Sequence, residues 1–300
     1  VKCLIVTADD LGAAREVNDA VETAHRGGIL SAASLMVSAP FAADAVARAR
    51  LMPRLRVGLH LVLVEGRPTL PASLVSRLVG ADGCFRSGMA ALGASIAASP
   101  RARRQLAAEI AAQFEAFGAT GLAMDHCNAH KHFHLHPVVG RMMASVGRRF
   151  GVRAVRVPEE PLAVLRKIEP ATSGAASRVT APFARLLKRR LTASGLATAD
   201  RVFGLHWSGC MTRERLAGLI AHLPEGLSEI YLHPATGAYL GSAPQYRYRE
   251  ELEALISPEI VRACRATVRL GGFTDFCGAP GAADAARPVM RGAESVPANS

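Results

Sequence analysis

The chain has 300 residues, half of them apolar, with 36 Lys and Arg against 25 Asp and Glu and a net charge of +11. That apolar fraction supports a large buried core and excludes an intrinsically disordered chain, which lacks the surface to offset its ordering entropy. The basic excess gathers at Arg101, Arg103 and Arg104, at Arg148, Arg149, Arg153 and Arg156, and at Lys188, Arg189 and Arg190; with aromatics at 5% and no nucleic-acid motif, it fits a solvated surface or an anionic membrane face rather than nucleic acid.

Leu4-Ile5-Val6 is a short apolar run ending at Thr7-Ala8-Asp9-Asp10, the pattern of a buried parallel strand that delivers two carboxylates at its C-terminal end. Val17, Ala20, Val21 and Ala24 then fall at helical spacing, stopped by Gly27-Gly28. A second strand is expected over Ser34 to Ser38, a helix over Ala42 to Arg50, and a third strand over Val57 to Leu63, apolar on both faces except for His60. Residues 66 to 100 read as an irregular excursion or lid. Arg101 to Phe117 is an amphipathic helix with Leu106, Ile110, Phe114 and Phe117 on one stripe.

Leu122 to Asn128 leads into a histidine cluster, and Pro137 to Phe150 is helical with Pro in its first turn. Further strands are expected at Val152 to Val157, Val202 to Trp207 and Ser228 to Leu232, with a last short one at Phe273 to Phe276. Helices are expected at Ala181 to Leu191, Arg213 to His222, Tyr248 to Ile256 and Glu259 to Val268, and a loop at Ser173 to Ser177. About seven strand–helix repeats imply an α/β architecture with a parallel sheet. Residues 1–277 read as one catalytic domain and 278–300 as a disordered tail. No apolar run reaches the roughly 18 residues a transmembrane helix needs. No secretory signal is visible, and the six cysteines show no Cys-x-x-Cys spacing, so a cytoplasmic protein with reduced thiols is expected.

Metal-capable residues collect at four strand ends: Asp9-Asp10, His60, the run from His126 to His136, and His233. In an α/β barrel the strand C-termini converge on one face, where such residues can meet. One carboxylate and two imidazoles around a divalent ion leave a position open for water and polarise a carbonyl. Each signal has a plainer reading. Asp-Asp also suits a helix N-terminus, and His60 and His233 could be satisfied core residues. The segment Asp125-His126-Cys127-Asn128-Ala129-His130-Lys131-His132-Phe133-His134-Leu135-His136-Pro137 weighs more, with five of ten histidines inside eleven residues. All five cannot bind one ion. Arg156 and Glu229 lie in strands and could orient a ligand. No serine-hydrolase elbow, phosphate loop, dinucleotide fingerprint or His-Glu-x-x-His motif is present, and Cys127 reads as a buried cysteine rather than a nucleophile.

These motifs in order resemble the YdjC-like carbohydrate deacetylases: Ile5-Val6-Thr7-Ala8-Asp9-Asp10-Leu11-Gly12, Gly58-Leu59-His60-Leu61, Asn128-Ala129-His130-Lys131-His132-Phe133-His134, Arg153-Ala154-Val155-Arg156-Val157-Pro158 and Tyr231-Leu232-His233-Pro234. Within the family the likeness is strongest to the hopanoid-biosynthesis-associated deacetylases. The resemblance implies a distorted (β/α) barrel of the polysaccharide-deacetylase kind and one divalent metal, Zn²⁺ ahead of Mg²⁺, held by Asp10, His60 and His130. It further implies Asp9 as base and His233 as acid, with His132 as a pocket residue; Asn128, Arg156 and Glu229 are expected to touch the substrate or to orient the residues that do. Many members carry Asp where this chain has Asn128, which is expected to weaken polarisation of His130. The implied substrate is an N-acetylglucosaminyl hopanoid glycolipid met at the inner face of a membrane. The alternatives are a soluble chito-oligosaccharide deacetylase and a non-catalytic sugar- or lipid-binding barrel.

Overall fold

In this computed structural model the described residues are 1–277; the expected tail, 278–300, lies outside them. The elements run β1 (Lys2–Leu11), α1 (Arg15–Gly27), β2 (Ala32–Leu35), α2 (Ala42–Arg50), β3 (Arg56–Leu61), α3 (Met89–Ala98), α4 (Pro100–Ala119), β4 (Met124–Ala129) and α5 (Pro137–Arg149). They continue α6 (Leu162–Ile168), α7 (Ala175–Ala193), β5 (Arg201–Phe203), α8 (Arg213–His222), β6 (Gly226–Leu232), α9 (Tyr248–Ile256), α10 (Pro258–Thr267), β7 (Arg269–Leu270) and α11 (Phe273–Phe276). The sheet order is β4-β3-β2-β1-β6-β5, and every ladder is parallel. β7 pairs with the start of β1, on the edge that β2 takes over from Thr7 onward.

The sheet curls toward closure through Val152–Val157, which does not form the regular strand expected there. Its backbone makes only isolated bridges, Val155 to Cys127 on one side and Ala154 to Ala197 on the other. Val202 N–H then reaches the Glu159 carbonyl at 3.1 Å. Pro158 and Pro161 follow this stretch and have no N–H to extend a ladder. The result is the distorted (β/α) barrel that was expected.

Three other expectations change. Phe273–Phe276 is a turn of helix, not a strand, because Asp125 accepts the Phe273 and Thr274 N–H groups and caps it. Residues 66–100 are not loose: α3 buries Leu92 and Ile96, and the segment before it is tied to α4. Buried Glu109 accepts the N–H groups of Thr69 and Leu70, and Gln113 brackets the Val62 amide and carbonyl. Residues 173–177 are split, with α7 starting at Ala175 and running well ahead of Ala181.

Inward-facing positions alternate along each strand. At one end of the barrel a small apolar plug forms from Ile5, Ala32, Ala154, Val202 and Phe273. Beyond it the interior turns polar: Thr7 and Asp9 on β1, Ser34 on β2, His60 on β3, His126 and Asn128 on β4, Arg156, and Glu229 on β6, all buried. The outward positions join the main apolar core beneath the helices, among them Leu4, Val6, Leu59, Leu61, Ile230 and Leu232.

Candidate metal and catalytic site

Asp9 and Asp10 are neighbours, so a regular strand would aim them at opposite faces. β1 avoids this with a bulge. Its register against β2 passes from Ala8–Ala33 to Leu11–Leu35, one extra residue on β1, and Asp10 adopts φ 61°. Asp tolerates this left-handed conformation better than most residues. Gly12 follows at φ 94°, where an added Cβ would lie 3.1 Å from the Ala42 backbone. Both carboxylates are thereby brought to the barrel mouth.

Asp10 Oδ1 lies 3.2 Å from His60 Nε2 and 3.1 Å from His130 Nδ1. These three ligand atoms all fall within 4.8 Å of one another. Donor atoms about 2.0–2.1 Å from a tetrahedral ion sit roughly 3.3–3.4 Å apart, so the spacing suits one small cation. His130 reaches inward because the chain turns immediately after it, with Lys131 and His132 at φ 52° and 53°. Burial opposes ionisation of Asp10, but His130 and His60 together outweigh it and hold the carboxyl well below its usual range. Burial also works against a charged His130, yet Asp10 raises its pKa.

The fit of the residues to a metal rests on His60. Its Nδ1 lies 2.6 Å from Asn128 Oδ1, directly across the β3–β4 register. Asn128 Nδ2 donates to Ser34 Oγ at 2.9 Å and to Asp9 Oδ1 at 3.3 Å, so its Oδ1 is the acceptor and His60 Nδ1 carries the proton. His60 Nε2 is then a bare lone pair. It is buried, has no hydrogen-bond partner, and faces a carboxylate oxygen. A metal ion, or a shared proton, between the two atoms would satisfy both.

The expected action of Asn128 on His130 is corrected here: Asn128 orients His60, while the protein partner of His130 is Asp10. The chain of donors continues. Ser34 Oγ lies 3.0 Å from His126 Nε2, and His126 Nδ1 lies 3.0 Å from Asp125 Oδ2. His126 packs against β3 only because residue 58 is glycine; an added Cβ there would sit 2.5 Å from the imidazole.

Asp9 is held from the other side. Arg156 Nη1 donates to Asp9 Oδ2 at 2.5 Å, and its Nε and Nη2 donate to Glu229 Oε1 at 3.0 and 2.8 Å. Thr7 Oγ1 also donates to Glu229 Oε1, and the Tyr231 ring lies 4.6 Å beneath the guanidinium. Burial would raise the Asp9 pKa, but Arg156, with His60 and His233, outweighs it and holds the carboxyl far below the ordinary value.

The remaining histidines divide by partner. His132 Nε2 pairs with the Tyr231 hydroxyl at 2.8 Å, and burial keeps His132 neutral. His134 donates from Nε2 to the Arg156 carbonyl, a structural role, with burial pulling its pKa to about 4. His233 stands at the end of β6 among Tyr231 and Tyr246, its Nδ1 buried without a partner and its pKa lowered by burial. Its backbone N–H donates to Glu251 Oε2 at 2.5 Å. Cys127 is buried beside the site with its pKa raised by burial, a structural thiol.

Sequence reasoning missed Ser34, Asp125, Tyr231 and Glu251. Ser34 and Tyr231 stand at inward positions of β2 and β6, and Asp125 adjoins His126 near the start of β4. Glu251 sits on a helix among Glu250 and Glu253 and has no distinguishing sequence signal.

A family model described as YdjC-like protein matches residues 3–266. The chain belongs to the YdjC-like family. This YdjC-like chain is 30% identical over 262 residues to a carbohydrate deacetylase of Geobacillus stearothermophilus, spanning 86% of this chain and 90% of that one. It is also 30% identical over 253 residues to a human carbohydrate deacetylase, spanning 77% and 74%. The expectation of a hydrolase is therefore met at the level of the family. Among solved structures, a candidate cellobiose-phosphate cleavage protein of Enterococcus faecalis shares the fold with a TM-score of 0.74 at 21% identity, over 91% of this chain and 98% of that one. No helix among the described residues is long and apolar enough to cross a membrane.

Proposed function

We propose that this YdjC-like protein is a metal-dependent N-deacetylase that removes acetyl from an N-acetylglucosaminyl group carried on a hopanoid glycolipid. The observation that carries the metal dependence is the bare Nε2 of buried His60 facing Asp10, with His130 completing the set. The names of its relatives support the carbohydrate deacetylase chemistry. The hopanoid part rests on the motif resemblance and on the basic surface.

Asp10, His60 and His130 would hold a divalent ion, which when bound would polarise the acetamide carbonyl and lower the pKa of a water; two imidazoles favour Zn²⁺ over Mg²⁺. Asp9 takes the proton of the attacking water. Arg156 keeps Asp9 ionised and so able to accept that proton. His233, neutral by burial, takes up that proton from Asp9 and passes it to the amine nitrogen as the C–N bond breaks, giving acetate and a free amino sugar. Tyr231 and His132, joined to each other, border the same interior beside Arg156.

The test is acetate release by the full chain from an N-acetylglucosaminyl hopanoid and from a chito-oligosaccharide, with and without chelator, beside Asp9→Asn. Chelator-sensitive release that prefers the glycolipid and is lost in Asp9→Asn is expected. Chelator-resistant turnover would remove the metal from the reading. Equal turnover of the free oligosaccharide would move the substrate to soluble sugars. Release from neither would leave a non-catalytic binding barrel.

A further inference from the structure

Helix α7 is exposed along one apolar edge. Val179, Phe183 and Leu186 are 70%, 46% and 38% exposed, and Pro182 between them is exposed as well. Positions 179, 182, 183 and 186 fall on one face of a helix. The opposite face, through Ala184, Leu187 and Leu191, is buried. The stripe is thus an outward ridge and no part of the core.

Two cationic grooves flank it. One, between α5 and α7, is lined by Arg141, Arg148, Arg149 and Arg190 and has no acidic residue in its lining. The other holds Arg185, Lys188 and Arg189, with Glu159 as its one carboxylate, paired to Lys188. Among the described residues, Arg141, Arg148, Arg149, Arg185 and Arg189 make no ion pair.

We infer that α7 is a docking element for an anionic lipid bilayer, lying in the headgroup plane with Phe183 and Leu186 inserted and the arginines on lipid phosphates. An apolar ridge between arginine rows is the pattern of interfacial helices. A second copy is the weaker occupant. A two-fold contact on this face would set Arg185, Arg189 and Arg190 against their own kind with no carboxylate on the ridge. The helix packs against α5 and the turn that carries His130, so docking here brings lipid within one helix of the site. The inference goes beyond the deacetylase reading and does not depend on it.

The test is co-sedimentation of the full chain with vesicles of phosphatidylglycerol and phosphatidylcholine in equal parts, and with pure phosphatidylcholine, in an assay that contains no substrate. Binding to the anionic vesicles that weakens with salt is expected, with little on phosphatidylcholine. Phe183→Ser with Leu186→Ser, and separately Arg185→Glu with Arg189→Glu, are expected to weaken it on the order of tenfold or more at unchanged thermal midpoints. Absence of wild-type binding, or binding by both double variants as tight as that of the wild type, would overturn the inference. So would a concentration-dependent dimer, abolished by Phe183→Ser with Leu186→Ser, in a chain that does not bind vesicles.

Discussion

His60 Nδ1 donates to Asn128 Oδ1 across 2.6 Å, and this one bond decides which nitrogen of His60 faces Asp10. Asn128→Ala removes the acceptor and frees the ring to flip or change tautomer. Outer contacts of this kind are worth about 10–100-fold in metal affinity. The expected outcome is that loss in Zn²⁺ affinity, read by chelator competition, with the melting transition intact. Affinity equal to wild type would show that the bond does not set the tautomer.

His233 is expected to act on turnover and not on metal binding. His233→Ala should lower kcat by about 10²–10⁴, the range for a general acid–base group, while metal affinity stays as in wild type. Glu251 accepts the N–H groups of His233 and Met211, and burial pushes its carboxyl up to about 8. It therefore positions His233 chiefly by hydrogen bonding. Glu251→Gln should lower kcat less than His233→Ala does and leave KM near its wild-type value. A KM effect with unchanged kcat would place both residues in sugar binding instead.

Among the described residues, Arg156 is the one Arg or Lys that pairs with the buried carboxylates Asp9 and Glu229. Arg156→Met strands both, and breaking a buried pair in this way costs about 3–5 kcal/mol. Urea denaturation of the variant should show a loss of that order, partly recovered by adding Glu229→Gln. A loss below about 1 kcal/mol would mean that water reaches these carboxylates, as it does at surface pairs.

Much of this site was legible because polar residues interrupt strands that are otherwise apolar. Asp10, His60 and His130 each stand at the mouth end of a strand, where a barrel gathers them. The register was less legible. That His60 faces Asn128, and not His130, follows from the β3–β4 pairing, which no single-strand pattern contains. The bulge that turns Asp10 toward Asp9 is likewise a property of two strands. Val152–Val157 reads as a strand by composition, but the prolines after it and its isolated bridges make it a closing seam. Phe273–Phe276 reads as a strand because its helix is capped from outside, by Asp125.

Asp125 carries the last prediction, for acid stability. Burial alone would raise its pKa; hydrogen bonds from the His126 ring and from the Thr274 hydroxyl and backbone outweigh burial and hold it at about 2. The unfolded value is about 3.9. The folded pKa is the lower one, so the unfolded chain binds more protons as pH falls. The contribution of Asp125 to stability is thus complete above about pH 4 and is lost as pH falls through about 2. The difference amounts to roughly 2–3 kcal/mol. Asp125→Asn, which keeps the shape but cannot accept from all four donors as an anion, should lose about that much at pH 7. Its urea midpoint should then vary less than that of wild type between about pH 4 and pH 2. Acid limbs of equal slope in the two proteins would assign the acid sensitivity to other carboxylates and leave Asp125 as a neutral cap of α11.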